Sequence, residues 1–333
     1  MQSAGMYAEI GGSATGITTL ENKKSILVGQ EKSAGIYIKN SADISKGIAK
    51  NTGHPNGVID LNAGETVGIL VDNATGINES VINVNKGSSA GMFGNNGSEI
   101  TNKKNINVSH ENSAGMYTVN SNATNTVNGV ITIIGSTGAA TGSAGMFGKL
   151  SGATGYKTLN EGIINLNSVT KNVGIYGEVD AGATGVLTLE NNNKININSG
   201  STSSVGIIAE NNSGSAGNLL VNNTANGIIT GDEASSIGIL AGKSEVTNAG
   251  KILMNKDGSV GIYGKNESKV ENSKLIEISG NKSAGIFLEN SDAFNLTGGQ
   301  INEEFLQEVK RQQEFTEHLL QVLVLLRMKA QLL

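Results

Sequence analysis

Few residues in this 333-residue chain could do acid–base or metal chemistry, and they are scattered. The histidines are His54, His110 and His318, and neither of the first two has a cluster of His, Cys, Asp or Glu at ligand spacing around it. A zinc site needs three or four such groups brought together. Cysteine is absent, which removes disulfides and thiolate ligands. The adjacent acids Asp232 and Glu233 follow Gly231 in an apparent loop. Cleavage of a polysaccharide needs carboxylates converging on one groove with a base or a cation, and no arginine precedes Arg311. The run Gly11-Gly12-Ser13-Ala14-Thr15-Gly16 lacks the aspartate of a calcium-binding nonapeptide repeat. Lys23-Lys24 and Lys103-Lys104 read as solvated corners, and the sequon Asn211-Asn212-Ser213 as a turn. No catalytic, cofactor or metal site is expected, and no enzyme.

Composition narrows the classes further. Charged residues make up 16% of the chain and the net charge is −5, too few and of the wrong sign to neutralise phosphates. Nucleic acid is not an expected partner. Gly 46 with Pro 1 excludes collagen, which needs both in abundance. No run of about 18 apolar residues is present to span a bilayer as a helix. The chain also opens inside a repeat, at Ser3-Ala4-Gly5-Met6-Tyr7, without a signal peptide, and the expectation is a piece of a longer protein.

The element that repeats is Gly-Ile/Met-Tyr/Phe, usually preceded by Ser-Ala or Ser-Val. Its glycines fall at Gly5, Gly35, Gly68, Gly91, Gly115, Gly145, Gly174, Gly206, Gly238, Gly261 and Gly285, with gaps of 23 to 33 residues. Self-similarity at that period means stacked units, each too small to bury its own apolar face. Two further beats recur. One is Thr-Gly-x-x-Thr-Leu, as at Thr15-Gly16-Ile17-Thr18-Thr19-Leu20 and Thr184-Gly185-Val186-Leu187-Thr188-Leu189. The other is Ile-x-Ile/Val-Asn, as at Ile82-Asn83-Val84-Asn85 and Ile195-Asn196-Ile197-Asn198.

Three short runs per coil, bounded by Asn, Gly, Ser and Asp, predict three strands per coil. The expected fold is therefore all-β: a right-handed parallel β-helix of about eleven coils over residues 1–299, a rod roughly 50 Å long. Longer coils would carry loops at residues 8–15, 41–56, 120–128, 135–141, 150–154, 178–184 and 210–225.

Alternation places Ile82 and Val84 inside and Asn83 outside. Eight of the aromatics share one register, Tyr7, Tyr37, Phe93, Tyr117, Phe147, Tyr176, Tyr263 and Phe287. They are expected as an external stacked ladder, with inward packing as the competing arrangement. Turn asparagines are expected to stack as amide ladders.

The Ser-Ala/Val-Gly-Ile/Met-Tyr/Phe repeats, with Asn-Gly-x-Ile and Asn-Glu-Ser turns, resemble the passenger region of the large type V autotransporter adhesins of Gram-negative oral anaerobes. The resemblance covers residues 1–299. It implies a parent protein anchored by an outer-membrane barrel absent from this chain, projecting at the cell surface and attaching to host or bacterial surface proteins or glycans. The expected role is a structural and adhesive rod. Loops 41–56, which holds Pro55, and 210–225 are the first places expected to bind. The alternatives are a β-helical carbohydrate-active enzyme, or a truncated gene fragment without activity.

Residues 300–333 break the pattern. Gly vanishes after Gly299, Arg311 and Arg327 appear, and Phe305, Leu306, Val309, Phe315, Leu319 and Leu320 lie near helical spacing from residue 302 onward. A capping helix is one reading. The reading we favour is the same repeat in a shifted frame. If Gln313-Glu314-Phe315-Thr316 is encoded CAG GAA TTT ACA, starting at the third base yields Gly-Ile-Tyr. The nucleotide sequence decides between the two.

Overall fold

The structure is a computed structural model that describes residues 3–135, 142–167 and 170–303. Three parallel sheets of eleven strands each wind into a right-handed parallel β-helix of eleven coils, with each strand between the first and last coils paired to its equivalents one coil above and below. Sheet I carries the Gly-Ile-Tyr strands, such as Ala90–Asn95 in coil 4. Sheet II carries strands such as Glu99–Asn102, and sheet III strands such as Asn105–Val108. No α-helix occurs among the described residues; two 3-10 turns lie at Ile44–Lys46 and Ala216–Asn218.

The helix extends through Gln300–Glu303, the sheet III strand of coil 11. That corrects the expected boundary at residue 299 and the helical reading at residues 302 and 303. The rest of the expected tail, residues 304–333, lies outside the described residues, as does most of the expected loop 135–141.

One inward residue per position fills a continuous axial core, with Ile36, Ile69, Met92, Met116, Met146 and Ile175 contributed by sheet I. The repeat glycine precedes each of these and sits within the strand rather than at a corner. A Cβ on Gly145 would lie 2.7 Å from the Gly174 carbonyl oxygen and 2.7 Å from Ile164 Cγ2 of sheet III. Real side chains do not approach that closely, so only glycine lets the backbone press against sheet III.

The strand register skips that glycine, pairing Ala114 with Ala144 and Met116 with Met146. The strand thus changes face there, as at a bulge. Ala114 and Tyr117, three residues apart, consequently join one side cluster separate from the axial core.

The aromatic row lies in that side cluster, on the face of sheet I opposite the axial core. Neighbouring rings touch but do not form a uniform stack: Phe147–Tyr176 is stacked with centroids 4.7 Å apart, Phe93–Tyr117 is tilted at 5.0 Å, and Tyr117–Phe147 meets edge to face at 4.8 Å. The expectation of an outward row holds, but not its exposure: Phe93, Tyr117, Phe147, Tyr176 and Tyr263 are each 5% exposed or less. Only Tyr7, in the first coil, stands out at 52%.

Polar ladders fix the register where the apolar core cannot. At the end of every sheet II strand stands an asparagine, from Asn22 and Asn51 to Asn272 and Asn295. Each donates Nδ2 to the Oδ1 of the next, at 2.7–2.9 Å in all ten steps. The second amide hydrogen goes to a turn carbonyl, as from Asn102 to Lys104 and from Asn191 to Asn193. Buried amides that meet both demands add stability, while an unmet one costs more than the bond contributes.

A second ladder runs before the Ala-Gly step. There the backbone N–H of Ser89 donates to Ser113 Oγ, that of Ser113 to Ser143 Oγ and that of Ser143 to Asn172 Oδ1. The preceding corner residue is left-handed in coils 2–11, as at Ser88 (φ 56°) and Asn112 (φ 51°).

Candidate functional site

Most insertions fall at one corner. Sheet I passes to sheet II through two or three residues in coils 3, 4, 5, 9, 10 and 11, but through five to seven in coils 1, 2, 6, 7 and 8. The inserted loops are 11–17 and 41–46, then 151–155, 180–186 and 212–218. Two ridges result, one near the first coils and one in coils 6–8, on the same edge of the prism.

This corrects the two loops first expected to bind. The segment 41–56 contains the sheet II strand Gly47–Asn51, and 210–225 contains Leu219–Asn223. Their connections are shorter, and Asn51 and Asn223 are rungs of the asparagine ladder. Likewise Asn122–Asn125, within the expected loop 120–128, is a strand, and the expected loop 8–15 begins inside Ser3–Ile10.

The second ridge is built rather than loose. Gly152 carbonyl accepts from Thr184 and Gly185 N–H, Val186 carbonyl from Tyr156 N–H, and Ala183 carbonyl from Asn218 Nδ2. Ala183, Leu187 and Leu219 are buried and continuous with the axial core, so the loops enclose a lateral extension of it. In the first ridge Lys46 Nζ reaches Thr15 carbonyl, and Asp43 caps the N–H of Ser45.

Charges flank the buried rings on sheet I. Lys149 pairs with Glu178 at 3.1 Å and with Asp180 at 2.9 Å, while the hydroxyls of Tyr176 and Tyr263 donate to Glu210 and Glu289. Burial raises the Glu178 carboxyl above the usual carboxylate range despite Lys149. Burial also lowers the Lys265 amine and pushes the Tyr117 hydroxyl up to about 12. Lys149, Tyr176 and Tyr263 are thus bonded to neighbours in the next coil beside the aromatic row.

At the foot of the second ridge lies a depression of about 280 Å³ on the outer face of sheet II, lined by Glu99, Ile100, Thr101, Asn122, Thr124 and Lys157. Glu99–Asn102 and Asn122–Asn125 form its floor, and Lys157, the second residue of Tyr156–Asn160 in coil 6, its wall. Asn122 Oδ1 accepts the Lys157 N–H at 2.8 Å, replacing the backbone pairing that the extra residues of coil 6 displace. Lys157 Nζ pairs with Glu190 at 3.0 Å. The Glu99 carboxylate, the Thr101 and Thr124 hydroxyls and the Asn122 amide nitrogen make no hydrogen bond to the described residues. Local sequence offered no sign of this set, because it is assembled from three coils.

The residues first weighed for chemistry stay apart. Asp232 accepts from Asn255 Nδ2 and Glu233 from the Gly200 N–H, so both acids tie turns together. His54 is exposed, and His110 Nδ1 is buried without a partner among the described residues. His318 lies outside the described residues. Asn211 Oδ1 holds the Ser213 N–H within a turn. Lys23 and Lys103 pair with Glu21 and Glu79 at their corners. Among the described residues no group of three or more His, Cys, Asp or Glu could hold a metal ion, and no helix is long and apolar enough to cross a membrane.

These features define a parallel β-helix solenoid with a ridged edge. No family model matches the chain, and neither a curated protein nor a solved structure is significantly similar to it.

Proposed function

We propose that this chain is a segment of an adhesive rod displayed at a bacterial surface, of the kind its repeats resemble in autotransporter passengers. In this reading the rest of the parent protein supplies export and an outer-membrane anchor, and the chain supplies reach and contact. The observation that carries it is the ridge of coils 6–8, whose loops are bonded to one another and seated on an extension of the core. A solenoid holding such loops at a fixed spacing presents several weak contacts at once, and linked weak contacts raise avidity steeply.

The test replaces loops 180–186 and 212–218 with the two-residue corner of coil 9, Lys243-Ser244. Beads coated with the whole chain are then scored for attachment to epithelial cells and to bacteria. Attachment falling at least tenfold, with the β-sheet circular dichroism unchanged, is the expected result. Unchanged attachment would remove the ridge as the contact surface.

A further inference from the structure

We propose that the depression at the foot of the second ridge binds a single hexopyranose unit and prefers an amino sugar to its neutral parent. This site stands on its own geometry and does not depend on the adhesive reading.

Its floor is a two-by-two array: Glu99 and Thr101 from coil 4 pair in register with Asn122 and Thr124 from coil 5. Adjacent strands lie about 4.8 Å apart and alternate residues about 6.7 Å apart, a grid on the scale of one sugar ring. Elsewhere many outward columns are closed by their own bonds. Asn83 donates to Asp60 and Asn107 to Asn83 on sheet III, and Lys39 pairs with Glu9 on sheet I. In the depression, by contrast, two hydroxyls, an amide nitrogen and a carboxylate stay free of protein partners.

That combination both donates and accepts at short spacing, as vicinal sugar hydroxyls demand. A phosphate or other anion would meet Glu99 at the floor and is disfavoured. Along the Thr101–Thr124 column the next outward residues are Ile77 below and Leu159 above, both half-buried. They offer apolar shoulders to the C–H face of a ring. The Glu99 carboxylate, unpaired and exposed, is the group that would distinguish an ammonium substituent from a hydroxyl.

The wall sets the size limit. Lys157 is held in place by Glu190 and by its N–H bond to Asn122, so the array is closed on the ridge side and open along the bare coils. One ring fits against the wall, and a longer chain would run away from it over coil 3.

The experiment is saturation-transfer NMR of the whole chain with methyl glucoside and with glucosamine, each at about 20 mM. Contacts of this number support a Kd of about 1–10 mM. The double variant Thr101→Ala/Thr124→Ala should weaken both probes by about tenfold, and Thr247→Ala, at the equivalent outward position of coil 9, should change neither. Glu99→Gln, an exposed substitution that leaves the fold alone, should bring glucosamine to the level of methyl glucoside. Absence of transfer from both probes would overturn the proposal. So would a double variant that binds as the parent does, or a glucosamine preference that survives Glu99→Gln.

Discussion

Coils 3–5 and coils 6–8 share one core and differ most clearly at the corner between sheets I and II. In the bare coils a left-handed asparagine (Asn73, Asn96 or Asn120) turns sheet I into sheet II within two or three residues. In the looped coils that turn becomes five to seven residues with its own hydrogen bonds and buried alanine and leucine. The glycine step and the asparagine ladder pass through both regions without interruption. Insertions are therefore tolerated wherever they leave those two columns in register, which separates the part of each coil that holds the rod from the part free to vary.

The two kinds of glycine should differ most in what a methyl group costs them. Gly145→Ala drives a Cβ into the Gly174 carbonyl and Ile164, and should cost about 3 kcal/mol or more, with loss of amide protection in the neighbouring coils. Gly182→Ala, in the coil 7 loop, meets nothing within 4 Å. It should change stability by no more than about 1 kcal/mol, and in the stabilising direction if it acts through the unfolded chain. Hydrogen exchange by mass spectrometry reads both. Equal effects would erase the distinction between column and loop.

Next comes the ladder. Asn102→Ala in a bare coil and Asn191→Ala in a looped coil each strand the buried amides above and below them. Both should cost about 2–3 kcal/mol in denaturant unfolding. A much smaller cost in coil 7 would mean that the ridge, rather than the ladder, carries the register there.

The smallest effect is electrostatic and belongs to the looped coils. Glu178 has its folded-state pKa raised by burial. The folded protein therefore holds the proton more tightly, and stability falls as pH rises through the interval from the ordinary glutamate pKa, about 4.3, to the raised value. Glu178→Gln removes that penalty while Lys149 keeps Asp180. Its melting temperature should exceed the parent's at pH 7, with the difference vanishing below about pH 4. A variant that melts lower at pH 7 would show instead that the Lys149–Glu178 pair outweighs desolvation.

The number of coils and the three strands per coil were legible because the Gly-Ile-Tyr spacing and the short alternating runs are local patterns. The amide ladder was legible in kind, since asparagines recur at strand ends. The depth of the aromatic row was not. Strict alternation separates Ala114 from Tyr117, and only the bulge at Gly115 puts them on one face. Strand edges beside insertions were hidden for another reason.

Ala74-Thr75-Gly76-Ile77 enters a strand in coil 3, whereas Ala14-Thr15-Gly16-Ile17 and Ala183-Thr184-Gly185-Val186 are looped out. The tetrapeptides match. What differs is the distance to the ladder asparagine: four residues from Ala74 to Asn78, but eight from Ala14 to Asn22 and from Ala183 to Asn191. The polar floor of the depression was illegible altogether, since Glu99, Asn122 and Lys157 become neighbours only once the coils are stacked.

Successive coils stack in parallel at one fixed register. Asn83 and Asn107 face outward from sheet III as direct partners in adjacent coils, within the separation a disulfide spans, whereas Asn83 and Asn165 stand three coils apart. Mild oxidation of Asn83→Cys/Asn107→Cys should close an intramolecular disulfide nearly completely, and Asn83→Cys/Asn165→Cys should stay reduced. A first pair that remains reduced in the folded chain, or a second pair that links, would contradict the stacked register.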